Sequence, residues 1–237
     1  MKTKHLKIGL ALITATLTMA LFNNFNFVSF KFPAVLESVL ESARVSHAKE
    51  LLGKKYSGSD AEKMGGQKAL NLMIQKKIQS SLGPKYKAQA RAIARTVIAE
   101  SAKYELDPVF VLAVIATESK FNPEAIGSVG EIGLMQIRPE TAKWMAQKIG
   151  MKWKGKESLK NPTVNIKLGT AYMDYLRNKF TSKPARYVSA YNMGPLNVRR
   201  LVAKNVVPAE YNSKVMKNYK DLYAKIADKA PRMVATN

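Results

Sequence analysis

Between Asp107 and Glu118 the chain reads DPVFVLAVIATE, and this run constrains the fold more than any other. Asp107 followed by Pro108 is a helix N-cap with a proline in the first turn, where the missing N–H costs nothing. Val109, Phe110, Val111, Leu112, Val114 and Ile115 then leave no polar side. A helix apolar all round is a buried helix, so other elements must surround it. Glu118 falls three residues after Ile115 and four after Val114, on a face shared with buried rows and in the last turn before Asn122 and Pro123 stop the helix.

Desolvation there disfavours a carboxylate, and so does the negative end of the helix dipole. Both favour a proton kept near neutral pH, the property a general acid needs. From the helix alone, a glutamate at a frayed end turned to water fits equally well.

The residues that follow are GSVGEIGLMQI, with glycines at 127, 130 and 133 that suit tight turns and close backbone approach, and a possible small ribbon. Helix resumes at Pro139. In order, ES at 118 and 119, NPxA from Asn122, the spaced glycines, GLMQI from Gly133 and PxT from Pro139 lead to AYNMG at 190 to 194 and to Tyr211 before Lys214 and Val215. This series resembles the soluble-type lytic transglycosylase domain, a lysozyme-like family that cuts peptidoglycan. The resemblance covers roughly residues 87 to 228 and implies a mainly α, lysozyme-like (α+β) fold with the glycan in a cleft between helical lobes. It implies Glu118 as the catalytic residue, Ser119 and Gln136 as hydrogen-bonding partners of the substrate acetamido group or of Glu118, and Met135 beside the sugar. Tyr191, Asn192 and Tyr211 would line the same cleft, Tyr211 close to Glu118.

Composition bounds the alternatives. In 237 residues with 46% hydrophobic content there is room for one domain with a packed core plus extensions. There is no cysteine, and the two histidines are His5 and His47. Disulfides, thiolate sites, and a histidine triad or histidine-bound metal in the body are thereby excluded, so acid/base chemistry rests on carboxylates, lysines or tyrosines. No phosphate-cradling glycine string is present. The expectation is no metal and no cofactor.

Glycoside hydrolysis generally uses two carboxylates. Among the acids near Glu118 in sequence, Glu131 is the candidate for a second, against its reading as a solvated loop charge. The family mechanism implied by the resemblance needs only one glutamate, as acid then base, and leaves 1,6-anhydro-N-acetylmuramic acid ends. A lysozyme-like hydrolase and a catalytically idle basic wall-binding or assembly protein remain the alternatives.

Along the chain, Lys2, Lys4 and Lys7 precede an apolar run from Ile8 to Phe22, an export signal or anchor over residues 1–32. Residues 33–85 read as a connector with short helices, including Ala69 to Leu82, and Gly83 with Pro84 as the edge of a catalytic domain over 86–230; a tail follows at 231–237. Helices are expected from Tyr86 to Tyr104, from Pro139 to Ile149, from Pro162 with Asn161 as cap, from Pro184 to AYNMG, and from Pro208 along a stripe of Tyr211, Val215, Tyr219, Leu222 and Ile226. The net charge of +22 lies mostly beyond residue 48. It suits anionic membrane or wall polymers if the chain is exported; nucleic acid is disfavoured because the basic residues are scattered and carry no recognition motif. The reading is thus of an exported protein, periplasmic or anchored to the inner membrane with its domain outside the cytoplasm. It acts on peptidoglycan glycan strands as a monomer, with no protein partner indicated.

Overall fold

The computed structural model describes residues 60–180, 186–206 and 208–227. The signal or anchor segment, the connector up to residue 59 and the tail lie outside them. Helices are α1 (Asp60–Ser81), α2 (Ala90–Lys103), α3 (Pro108–Ser119), α4 (Pro139–Lys148), α5 (Pro162–Lys179), α6 (Arg186–Met193), α7 (Pro195–Ala203) and α8 (Glu210–Ala227), with 3-10 turns at Pro84–Gln89 and Lys156–Lys160. Extended pairing among the described residues is limited to two isolated antiparallel bridges, Ile126 with Ile132 and Ile132 with Ile137. The fold is mainly α, with a small ribbon in the glycine-rich loop.

Helix α3 is the axis of the core, with every residue from Pro108 to Ile115 buried. Burying one such aliphatic side chain contributes roughly 1.5–3 kcal/mol, so a fully enclosed helix concentrates stabilisation in little chain. Its start is fixed locally, since the Asp107 carboxylate accepts from the Val109 N–H at 2.7 Å. The same carboxylate also anchors α8, accepting from the Tyr219 hydroxyl at 2.7 Å and the Tyr223 hydroxyl at 3.2 Å. Burial raises the pKa of Asp107, and the Tyr219 hydrogen bond opposes the rise. Helix α8 packs along α3 through the expected stripe, with Tyr211, Val215, Tyr219 and Leu222 buried. Asn218 of α8 also donates to the Thr117 hydroxyl at 2.9 Å.

Three boundaries differ from the sequence reading. The segment from Tyr86 begins as a 3-10 turn and becomes α-helix at Ala90. Helix α3 ends at Ser119, because Lys120 and Phe121 adopt left-handed φ values of 50° and 65° before Asn122 and Pro123 are reached. The third concerns Gly83 and Pro84. They join two elements of one core instead of marking its edge: Leu70, Ile74, Ile78 and Leu82 of the preceding stretch are buried, and α1 packs on α2 and α8. Gly66, at φ 75°, interrupts α1 four residues before that buried row begins.

Candidate active site

The loop after α3 is shaped by backbone pairing across the glycines. Gly127 N–H donates to the Glu131 carbonyl at 2.8 Å, Gly133 N–H to Ala125 at 2.9 Å, and Ile132 and Ile137 exchange bonds of 3.1 and 3.2 Å. Gly133 is required twice over. Its φ is 84°, and a Cβ there would stand 2.4 Å from both the Leu159 carbonyl and the Asn165 amide. At Gly127 a Cβ would meet only side-chain ends, the Glu131 carboxylate at 2.4 Å and the Gln136 amide oxygen at 2.9 Å, and would displace them.

Ser119 ties this loop to the helix: its hydroxyl donates to the Leu134 carbonyl at 2.8 Å and contacts the Ile115 carbonyl at 3.2 Å. Gln136 holds a left-handed φ of 45° while its amide donates to the Ala125 and Gly133 carbonyls at 3.0 and 2.9 Å. Met135 is 1% exposed, with its sulfur packed over Gly169 of α5. Its backbone is gripped from both sides: the Asn165 side chain accepts from its N–H at 2.7 Å, and the Tyr191 hydroxyl donates to its carbonyl at 2.8 Å.

Glu118 is half-buried at the end of α3, and the Tyr211 hydroxyl of α8 donates to its Oε1 at 2.5 Å. Its pKa is raised from the ordinary 4.5 to about 7. Desolvation is the main cause; the Tyr211 bond opposes it by stabilising the anion, and the charge of Glu131 adds to the rise. Tyr211 and Tyr191, both buried, are in turn pushed well above the usual phenol range by desolvation and by the nearby Glu118 charge, so both hydroxyls remain donors. Glu131 is not a free loop charge, since it accepts from the Val129 N–H at 3.2 Å and from Arg138 at 3.4 Å.

The structure thus brings Glu118, Tyr191 and Tyr211 together and sets Met135 and Gln136 in the loop that walls them, with Ser119 tying that loop to the end of α3. Asn192 follows Tyr191 with an exposed side chain. Asn165 was not anticipated. Fully buried, it also donates to the Ile132 and Leu159 carbonyls at 2.8 and 3.0 Å, so one side chain fixes three backbone segments around Met135. An Asn three residues before Leu168 in the buried stripe of α5 was its one visible signal.

A half-buried glutamate whose pKa is raised by burial, a tyrosine donor on its oxygen and a glycine-rich wall are the groups that acid/base chemistry calls for. Residues 95–213 match the model of the transglycosylase SLT domain. The chain belongs to the transglycosylase SLT family. This SLT chain is 39% identical over 108 residues to the membrane-bound lytic murein transglycosylase C of Histophilus somni (strain 2336), covering 42% of this chain and 30% of that protein. With the protein of the same name from Pectobacterium atrosepticum it shares 33% identity over 114 residues, covering 44% of this chain and 32% of the relative. Matched regions therefore span about a third of the length of these relatives. Among solved structures, an inactive mutant of the lytic transglycosylase Slt from Pseudomonas aeruginosa is similar over 59% of this chain and 25% of its own, at 28% identity and a TM-score of 0.47.

Proposed function

We propose that this SLT-family chain is a peptidoglycan lytic transglycosylase that cuts the bond between N-acetylmuramic acid and N-acetylglucosamine with Glu118 as its acid and then its base. The observation that carries the reading is the half-buried Glu118 carboxyl under the Tyr211 hydroxyl in an SLT-family chain, where burial lifts its pKa to about 7. A carboxyl poised there is protonated in a large fraction of molecules at neutral pH and becomes a useful base once it has given its proton away. Glu118 donates to the bridging oxygen, and the bond from that oxygen to the muramic C1 breaks. The substrate's acetamido group stabilises the cationic sugar. Glu118, now anionic and held by Tyr211, takes the proton of the muramic 6-hydroxyl, whose oxygen bonds C1. The products are a 1,6-anhydro end and a free 4-hydroxyl, with no water consumed. One carboxylate suffices because the second nucleophile is tethered to the reacting sugar at high effective concentration.

The loop residues divide by where their polar atoms are spent. Ser119, the Met135 backbone and the Tyr191 hydroxyl act from beneath, holding the wall of the cleft, while the Tyr191 ring, Asn192 and the amide oxygen of Gln136 face the substrate. No cofactor or metal has a part in these steps. The chain works as a monomer, its domain held outside the cytoplasm, in the periplasm or at the inner membrane, by the N-terminal segment. Its basic surface favours the anionic envelope.

Mass spectrometry of soluble products from purified murein tests the reading. Anhydro-muropeptides from the wild type, reduced by about 10²–10⁴-fold in Glu118→Gln, are expected. Reducing ends in their place would make the protein a hydrolase and Glu131 its second carboxylate. Binding without any release from the wild type would leave a wall-binding protein.

A further inference from the structure

Rings continue outward from the proposed centre. Tyr191 meets Tyr172 of α5 at 5.6 Å between centroids, Tyr172 stacks on Tyr175 at 6.2 Å, and Trp144 of α4 stands edge-on to Tyr175 at 4.7 Å. Trp144 ends the row 40% exposed. Each of the two helices then repeats one device, a lysine four residues after its aromatic. Lys148 lies over Trp144 at 5.8 Å and over Tyr175 at 5.6 Å; Lys179 lies over Tyr175 at 5.2 Å and donates to its hydroxyl at 2.9 Å.

Aromatic faces at i and lysines at i+4 share one helix side, so two cations converge on one ridge. Among the described residues no carboxylate pairs with either lysine. Asp174 on α5 is held by Arg177 and Asn178, and Glu140 on α4 is exposed one turn before Trp144. A ridge of this kind offers apolar faces to C–H surfaces and two ammonium groups, neither paired with a carboxylate, to anions.

We infer that the Trp144–Tyr175 ridge with Lys148 and Lys179 is a subsite for the carboxylate-bearing peptide on muramic acid, outside the acid/base centre. The inference rests on the proposed substrate. A bare glycan of N-acetylated sugars carries no anion except its unsubstituted lactyl groups, whereas its peptides bring several carboxylates and apolar side chains together. Carboxylates would pair with the two lysines while sugar or alanyl C–H groups pack on Trp144.

The test is equilibrium binding to the full chain carrying Glu118→Gln, by calorimetry, of a soluble disaccharide-tetrapeptide and of the same disaccharide lacking its peptide. The peptide should tighten binding at least about tenfold, one tenfold step being about 1.4 kcal/mol. Lys148→Ala with Lys179→Ala should erase most of that gain, and Trp144→Ala should reduce it. Equal affinity for the two ligands, or a gain that survives loss of both lysines, overturns the subsite. The lysine pair lies on exposed helix positions, so the test does not depend on the tryptophan variant folding. Product analysis on the wild type separates the two readings: lysine-dependent peptide binding without murein cleavage leaves the subsite standing and removes the lytic activity, and cleavage with peptide-blind binding does the reverse.

Discussion

At Glu118 two neighbours pull in opposite directions, and each can be removed without touching the carboxyl. The active form at the start of a cycle is protonated, so kcat/KM should be level below the pKa of about 7 and fall roughly tenfold per pH unit above it. Tyr211 stabilises the anion and thereby lowers the pKa; Glu131 destabilises it and thereby raises it. Tyr211→Phe should therefore move the descending limb to higher pH, by about one unit for the loss of a bond to a charged group, and Glu131→Gln should move it to lower pH. The check is a pH series of anhydro-product release. Limbs that coincide in the three proteins would detach the profile from Glu118. Activity lost altogether in Glu131→Gln would point to a two-carboxylate hydrolase. The sequence placed Glu118 on a buried face and named the helix end as a second cause of its raised pKa. In the structure the influences beyond burial are Glu131, which adds to the rise, and Tyr211, which opposes it from 93 residues away. A residue's own helix position can be read locally, but its partners cannot.

At the scale of elements, local signals were legible and long-range ones were not. Asp107 and Asn161 start α3 and α5 as their spacing predicts, because an N-cap acts within three residues. The glycines at 127 and 133 were readable as turn and close-approach positions, although only the fold shows what approaches them. Asn165 was not legible, since its three partners come from 6 to 33 residues away. It also explains how the loop keeps its shape with so little sheet. Asn165→Ala would take the partner from the Met135 N–H and the Leu159 carbonyl and leave the Ile132 carbonyl with the Ile137 N–H alone. It should cost about 2–4 kcal/mol in urea unfolding and lower activity with it, by letting Met135 and Gln136 drift. Asn192→Ala, at an exposed position, should change stability by less than about 0.5 kcal/mol while lowering activity on murein. Equal stability losses at the two positions would refute the division between a residue that builds the wall and one that faces the cleft.

For the whole molecule, the acid/base centre is a stability cost, and its sign follows from linkage. The Glu118 carboxyl has a pKa of about 7 when folded against 4.5 when free in an unfolded chain. Below 4.5 it is neutral in both states and costs nothing. Between 4.5 and 7 the unfolded chain releases the proton more readily than the folded one, so stability falls as pH rises through this window; above 7 the full cost is present. A shift of this size corresponds to roughly 3 kcal/mol, a sizeable fraction of the net stability of a domain. Glu118→Gln keeps the shape and removes the charge. It should therefore unfold at the same denaturant midpoint as the wild type near pH 4, and at a midpoint higher by roughly 1–3 kcal/mol equivalent at pH 8, the lower figure allowing for the lost Tyr211 bond. Urea titrations at the two pH values decide it. A variant less stable than the wild type at pH 8 would mean that Tyr211 and the cleft hold the anion better than burial penalises it, and that Glu118 is a settled carboxylate instead of a poised acid. Helix α3, enclosed by the core, thus carries in its last turn a carboxyl whose ionisation near neutral pH costs stability. That is the arrangement a single carboxylate needs in order to give and then retrieve one proton.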